Sequence, residues 1–134
     1  DGISKVGKHL AEISNINRIS MEPAVSPPRA IFGDEPPHTW CYYYQKADLA
    51  AQFEQWDQVN TLWQQAAGQG FAPHNAKEML PFIQALAHTG QQEKAAALLA
   101  EASRLEPQAA PYLCSAASRL LTSTSDWKQA FPCP

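Results

Sequence analysis

Ala76-Lys-Glu-Met-Leu-Pro-Phe-Ile-Gln-Ala-Leu-Ala-His-Thr-Gly-Gln-Gln-Glu-Lys-Ala-Ala-Ala-Leu-Leu-Ala-Glu-Ala-Ser103 is the stretch that decides the fold. Its apolar residues recur at steps of three and four on both sides of Thr89-Gly90, which predicts two amphipathic helices joined by a tight turn. Laid over Trp40 to Ala67 and over Pro111 to Phe131, the same helix-turn-helix pattern occurs three times at a spacing of about 36 residues. Self-similarity at that period predicts an all-α solenoid, and a solenoid is a binding scaffold before it is an enzyme.

The packing can be followed position by position. In the first copy, Ala47 sits mid-helix and leaves room for its neighbour, Trp56 opens the second helix, and Val59, Trp63 and Ala66 continue a buried stripe. The middle copy uses Phe82, Ile83 and Leu86 on its first helix against Ala95, Leu98, Leu99 and Ala102 on its second, so that small residues meet large ones. Asn75 and Glu78 resemble a capping box, and Gly90 supplies the left-handed turn between the two helices. Pro81 predicts either a kink or a helix start delayed to about Met79. The third copy is incomplete: Tyr112 to Leu121 makes a first helix, and Asp126-Trp127 repeats the turn-plus-aromatic signal, but the pattern breaks off at Pro132 before a second helix can form.

At the offsets of Leu86, Gly90, Ala95, Leu99, Ala102 and Pro107, the middle copy resembles a tetratricopeptide (TPR) repeat. The expected architecture is a TPR-like α-solenoid of about two and a half repeats over residues 40–134, preceded by an amphipathic helix (1–20) and a proline-rich linker (21–39). Ile3, Val6, Leu10, Ile13, Ile16 and Ile19 form the apolar stripe of that first helix, which is expected to cap the flank of the array. Five of the eleven prolines fall in the linker, where no regular helix is expected.

Composition narrows the function classes. The 134 residues carry a net charge of −3 with 45% hydrophobic residues. That charge gives no basic face for a phosphate backbone, so nucleic acid is not an expected partner. The longest apolar runs fall well short of the ~20 residues that cross a bilayer, so no transmembrane segment is expected. The chain begins at Asp1 with no charged-then-apolar leader, which reads as a fragment or processed product. Cys41, Cys114 and Cys133 are too few for a disulfide framework; the first two are expected as buried free thiols, Cys133 as exposed, and a single bridge stays open in an oxidising compartment.

Chemistry-bearing motifs are weak. His38 and Cys41 lack the second ligand pair that a structural zinc needs, so neither a metal nor another cofactor is expected. The same two residues have no third group to orient them as base and nucleophile, and no nucleophile elbow or phosphate-cradling loop occurs, so the chain reads as non-enzymatic. His74-Asn75 reads as the opening of a helix and His88 as a favourable charge at a helix C-terminus. Of Tyr42, Tyr43 and Tyr44, at least one ring must face inward.

TPR proteins line their concave surface with first helices, and that resemblance places Tyr44, Asp48, Gln84, His88, Tyr112 and Arg119 on the partner-binding groove. The occupant implied is a peptide or partner protein, but not a carboxylate-terminated tail, since Tyr44, Asp48 and Pro81 stand where cationic and amide groups would be needed. A second resemblance is more particular. Glu35-Pro-Pro-His-Thr-Trp-Cys-Tyr-Tyr-Tyr-Gln-Lys-Ala-Asp-Leu-Ala50, Trp56, Pro81-Phe-Ile83, Ala87-His-Thr-Gly90 and Pro111-Tyr-Leu-Cys114 look like the soluble C-terminal region of bacterial multi-spanning membrane glycosyltransferases related to lipid-phosphate-sugar mannosyltransferases. The likeness spans Ile31 to about Leu121. It implies an accessory role beside a catalytic membrane half, held outside the cytoplasm, and transfers no catalytic residue onto this chain.

Overall fold

The computed structural model describes residues 5–15 and 27–121, and every regular element among them is helical. The chain divides into two compact units, Asp1–Gly33 and Asp34–Pro134. The first contains α1 (Lys5–Ile13), none of whose residues is buried, and α2 (Arg29–Phe32). Ile3, Ile16 and Ile19 lie outside the described residues. The single turn of α2 corrects the expectation of a helix-free linker. Pro28 stands at its N-cap, where a helix leaves donors unpaired in any case, and Gly33 ends it at φ 77°.

The second unit contains α3 (Trp40–Gln52), α4 (Trp56–Gly68), a 3-10 turn at Ala76–Met79, α5 (Leu80–His88), α6 (Gln92–Leu105), a second 3-10 turn at Pro107–Ala109 and α7 (Ala110–Leu120). Each of these α-helices packs on the next, and α5 also touches α3 and α7. Its composition explains that central place. Pro81, Phe82, Ile83, Ala85, Leu86 and Ala87 are all buried, and a helix that is apolar on most sides must be surrounded. Ala47 and Ala50, Val59 and Ala66, Ala95, Leu99 and Ala102, and Leu113 and Ala117 are buried on the four helices that touch it. Alanines at the contacts let the backbones approach closely while Phe82 and Leu99 fill the spaces between.

Local chemistry sets the boundaries. The 3-10 turn places Pro81 in the first turn of α5, so the helix starts late and no mid-helix donor is lost. Asn75 Oδ1 accepts from the Lys77 and Glu78 backbone N–H groups at 3.0 and 3.1 Å, and Glu78 returns through the His74 N–H at 2.8 Å. This is a capping box displaced by one residue. After α5, Gly90 adopts φ 77°, its N–H bonds to Ala87 O, and the Gln91 N–H bonds to Leu86 O. Thirty-six residues earlier Glu54 adopts φ 57°, its N–H bonds to Ala51 O, and the Gln55 N–H bonds to Ala50 O. The two turns share this pair of bonds.

Of the tyrosine run, Tyr43 is the ring that turns inward. Trp63 is half-buried rather than fully enclosed, with its ring against Trp40 and Phe82. The expectation of two buried free thiols needs correction: Cys41 is exposed in the first turn of α3, and Cys114 is disulfide-bonded. Asp126, Trp127 and Cys133 lie outside the described residues.

Candidate functional site

The face shared by α3 and α7 is built outward from one buried ring. Trp40 opens α3, packs against Trp63 and Phe82, and donates its indole N–H to Glu78 Oε2 at 2.6 Å. Glu78 is further held by the His74 N–H on the same oxygen and by the Asn75 side chain on Oε1 at 2.9 Å. One turn along α3 from Trp40, Tyr44 lies with its ring nearly parallel to the indole at 6.5 Å. Asp48 follows one turn later and accepts from the Gln52 side-chain amide at 3.2 Å.

Electrostatics tie these groups together. The Tyr44 phenol is pushed above its ordinary pKa first by burial, then by the Asp48 and Glu78 carboxylates, with Tyr112 of α7 contributing least. Each of these groups is therefore near enough to disfavour a phenolate at Tyr44. Neither Asp48 nor Glu78 forms an ion pair with a cation among the described residues. The result is an anionic, aromatic face with Tyr112 half-exposed beside it.

The sequence-derived groove residues separate in the structure. Asp48 and, least, Tyr112 act on the Tyr44 phenol; Gln84 is half-buried on α5. His88, the last residue of α5, stacks flat on Trp56 at 4.3 Å and 2°, which engages one face of its ring with the start of α4. Arg119 folds onto its own helix, donating to Ser115 O and Oγ at 3.1 Å each. Glu78 is the site residue that sequence reasoning missed as such, because its capping role explained it locally; the contact with Trp40 spans 38 residues. No short-range spacing carries that signal.

Two other regions bear chemistry. His38 hydrogen-bonds Glu35 at 2.9 Å and stacks on Tyr42 at 3.5 Å, and that hydrogen bond holds the Glu35 carboxyl below its usual range. A cavity of about 450 Å³ runs from Trp40 and Cys41 to Gly70–His74, and a second of about 500 Å³ lies between α4 and α6, with Trp63 and Leu98 flanked by Lys94 and Arg104. Among the described residues no group of three His, Cys, Asp or Glu side chains is placed to hold a metal ion. No protein-family model matches the chain, and no curated protein or solved structure is significantly similar to it.

Proposed function

We propose that the second unit is a non-enzymatic, TPR-like helical-repeat scaffold that holds a peptide or partner-protein segment on the face of its first helices, α3, α5 and α7. The repeat reading is supported by the matched turns around Glu54 and Gly90, thirty-six residues apart, each followed by a helix that packs on the next. The observation that carries the binding reading is the Tyr44 environment: a partly buried phenol that feels the Asp48 and Glu78 carboxylates, neither of which has a cationic partner among the described residues. Such a face favours a segment presenting Lys or Arg, whose charge answers Asp48 and Glu78 and whose head group rests on a phenol ring. Recovery of a stoichiometric partner with the wild-type chain from its native source, and its loss with Asp48→Lys and with Tyr112→Ala, tests this. A partner retained equally by both variants would place binding elsewhere.

A second reading makes the chain an accessory C-terminal domain that supports the membrane half of a glycosyltransferase. Two observations favour it: the apolar side chains that the first unit exposes, and the disulfide at Cys114, a bond that persists in oxidising compartments outside the cytoplasm. Mass spectrometry of the native polypeptide tests it, since this reading requires a longer chain with several membrane spans.

A further inference from the structure

α4 and α6 each pack on α5, and a groove of about 500 Å³ lies between them. Leu86 of α5 and Leu98 of α6, both more than nine-tenths buried, line it together with the half-buried Trp63 of α4. Its length follows from α6: Lys94 and Arg104 both border the groove and stand ten residues apart on that helix, a rise of about 15 Å.

Charge and hydrogen bonding select the occupant. The Lys94 ammonium donates to the neutral Gln91 Oε1 at 2.9 Å, and neither it nor the Arg104 guanidinium has an anionic partner among the described residues. Glu101, one turn before Arg104, has no ion pair there either, so it repels a carboxylate placed inside the groove and leaves the two ends to acidic groups. On the facing wall the Gln64 side-chain amide is unengaged among the described residues. Asn60 spends its Nδ2 on Thr89 Oγ1 at 3.1 Å and keeps Oδ1 free. Side-chain amides that offer both donor and acceptor are what an extended backbone needs for its own N–H and C=O groups, which a helix has already paired.

We propose that the groove between α4 and α6 binds a short, extended acidic segment of a partner protein, with one carboxylate at Lys94, a second at Arg104 and an apolar side chain between them on Trp63 and Leu98. Alternate side chains of an extended chain point the same way, so residues one, three and five of the segment face the groove. Their span of about 13 Å, at ~3.3 Å per residue, matches the separation of the two cations. The proposal does not rest on the Tyr44 face, which presents carboxylates and takes the opposite charge.

The test is an NMR titration of the isotope-labelled intact chain with two pentapeptides capped at both termini, Glu-Ser-Leu-Ser-Glu and Ser-Glu-Leu-Glu-Ser. The first is expected to give saturable shifts at the Trp63 indole, the Gln64 side-chain amide and Ala97-Leu98, and to bind less tightly as salt rises. Lys94→Gln or Arg104→Gln should each weaken it about two- to fivefold, the effect of one exposed charge pair. The second peptide has the same composition and charge but turns its carboxylates away from the groove, so it should bind more weakly. Lys94→Glu with Arg104→Glu should remove the shifts; both residues are exposed, so the helical circular dichroism should not change. Equal binding of the two peptides, shifts that survive the double variant, or no shifts at millimolar peptide would overturn the assignment. Adipate binding as tightly as the first peptide would overturn it in favour of a metabolite-sized dicarboxylate.

Discussion

Glu54 and Gly90 occupy the same place in two turns thirty-six residues apart, and both are left-handed, at φ 57° and 77°. A residue with a Cβ pays about 1–2 kcal/mol to sit there, a cost that glycine avoids. Glu54→Gly should therefore stabilise the chain, by about 0.5–1 kcal/mol after the extra entropy of an unfolded glycine is deducted. Gly90→Ala should destabilise it by about 1 kcal/mol; an added Cβ meets no atom within 4 Å, so the loss is conformational and not steric. Urea denaturation of both variants checks the pair of signs.

Ala95 is fully buried in the first turns of α6, a helix that packs on α5. Ala95→Leu should overpack this contact and cost about 1–3 kcal/mol, read as a lower denaturation midpoint. An unchanged midpoint would move Ala95 out of the helix interface.

Trp63 is half-buried, with its ring edge-on to Trp40 at 6.2 Å and tilted on Phe82 at 4.8 Å. Removing it in Trp63→Ala should cost about 3 kcal/mol, the lower end for a truncated tryptophan, because one side of the ring already meets water. The same variant should change the near-ultraviolet circular dichroism, since it removes a partner of Trp40.

Much of this fold was legible in residues that act locally. Gly90, Asn75 and Pro81 each carry a backbone or capping requirement that a short window reveals, and the elements around them begin and end where those residues require. Glu54 escaped notice because nothing about a glutamate announces a left-handed turn. The helix α2 escaped because the prolines that forbid a helix interior also frame a single turn between Pro28 and Gly33. The site was less legible than the fold. Tyr44, Asp48 and Tyr112 follow from which helix faces which, but Glu78 joins them through Trp40, a long-range contact, and His88 and Arg119 are diverted by a stacking partner and by Ser115 respectively.

The Tyr44 phenol offers a pH signature. Its folded pKa lies above the ordinary value, chiefly through burial and then through Asp48 and Glu78. The unfolded tyrosine therefore loses its proton first, so this contribution to stability is complete below the ordinary tyrosine range and declines as pH rises through it towards the folded value. Asp48→Asn should shift the Tyr44 titration back towards its ordinary value, followed by the ring carbon resonance and assigned with Tyr44→Phe. A titration unmoved by that change would separate the two residues.

The central claim is that the face around Tyr44 accepts a cationic segment, and the most direct measurement is an NMR titration of the isotope-labelled chain with an oligolysine peptide and, separately, an oligoglutamate peptide. The account predicts saturable shifts at Tyr44, Asp48, Glu78 and Tyr112 with oligolysine, no such shifts with oligoglutamate, and loss of the response in Asp48→Asn with Glu78→Gln. Shifts confined to other surfaces, or a response that survives that double substitution, would contradict it.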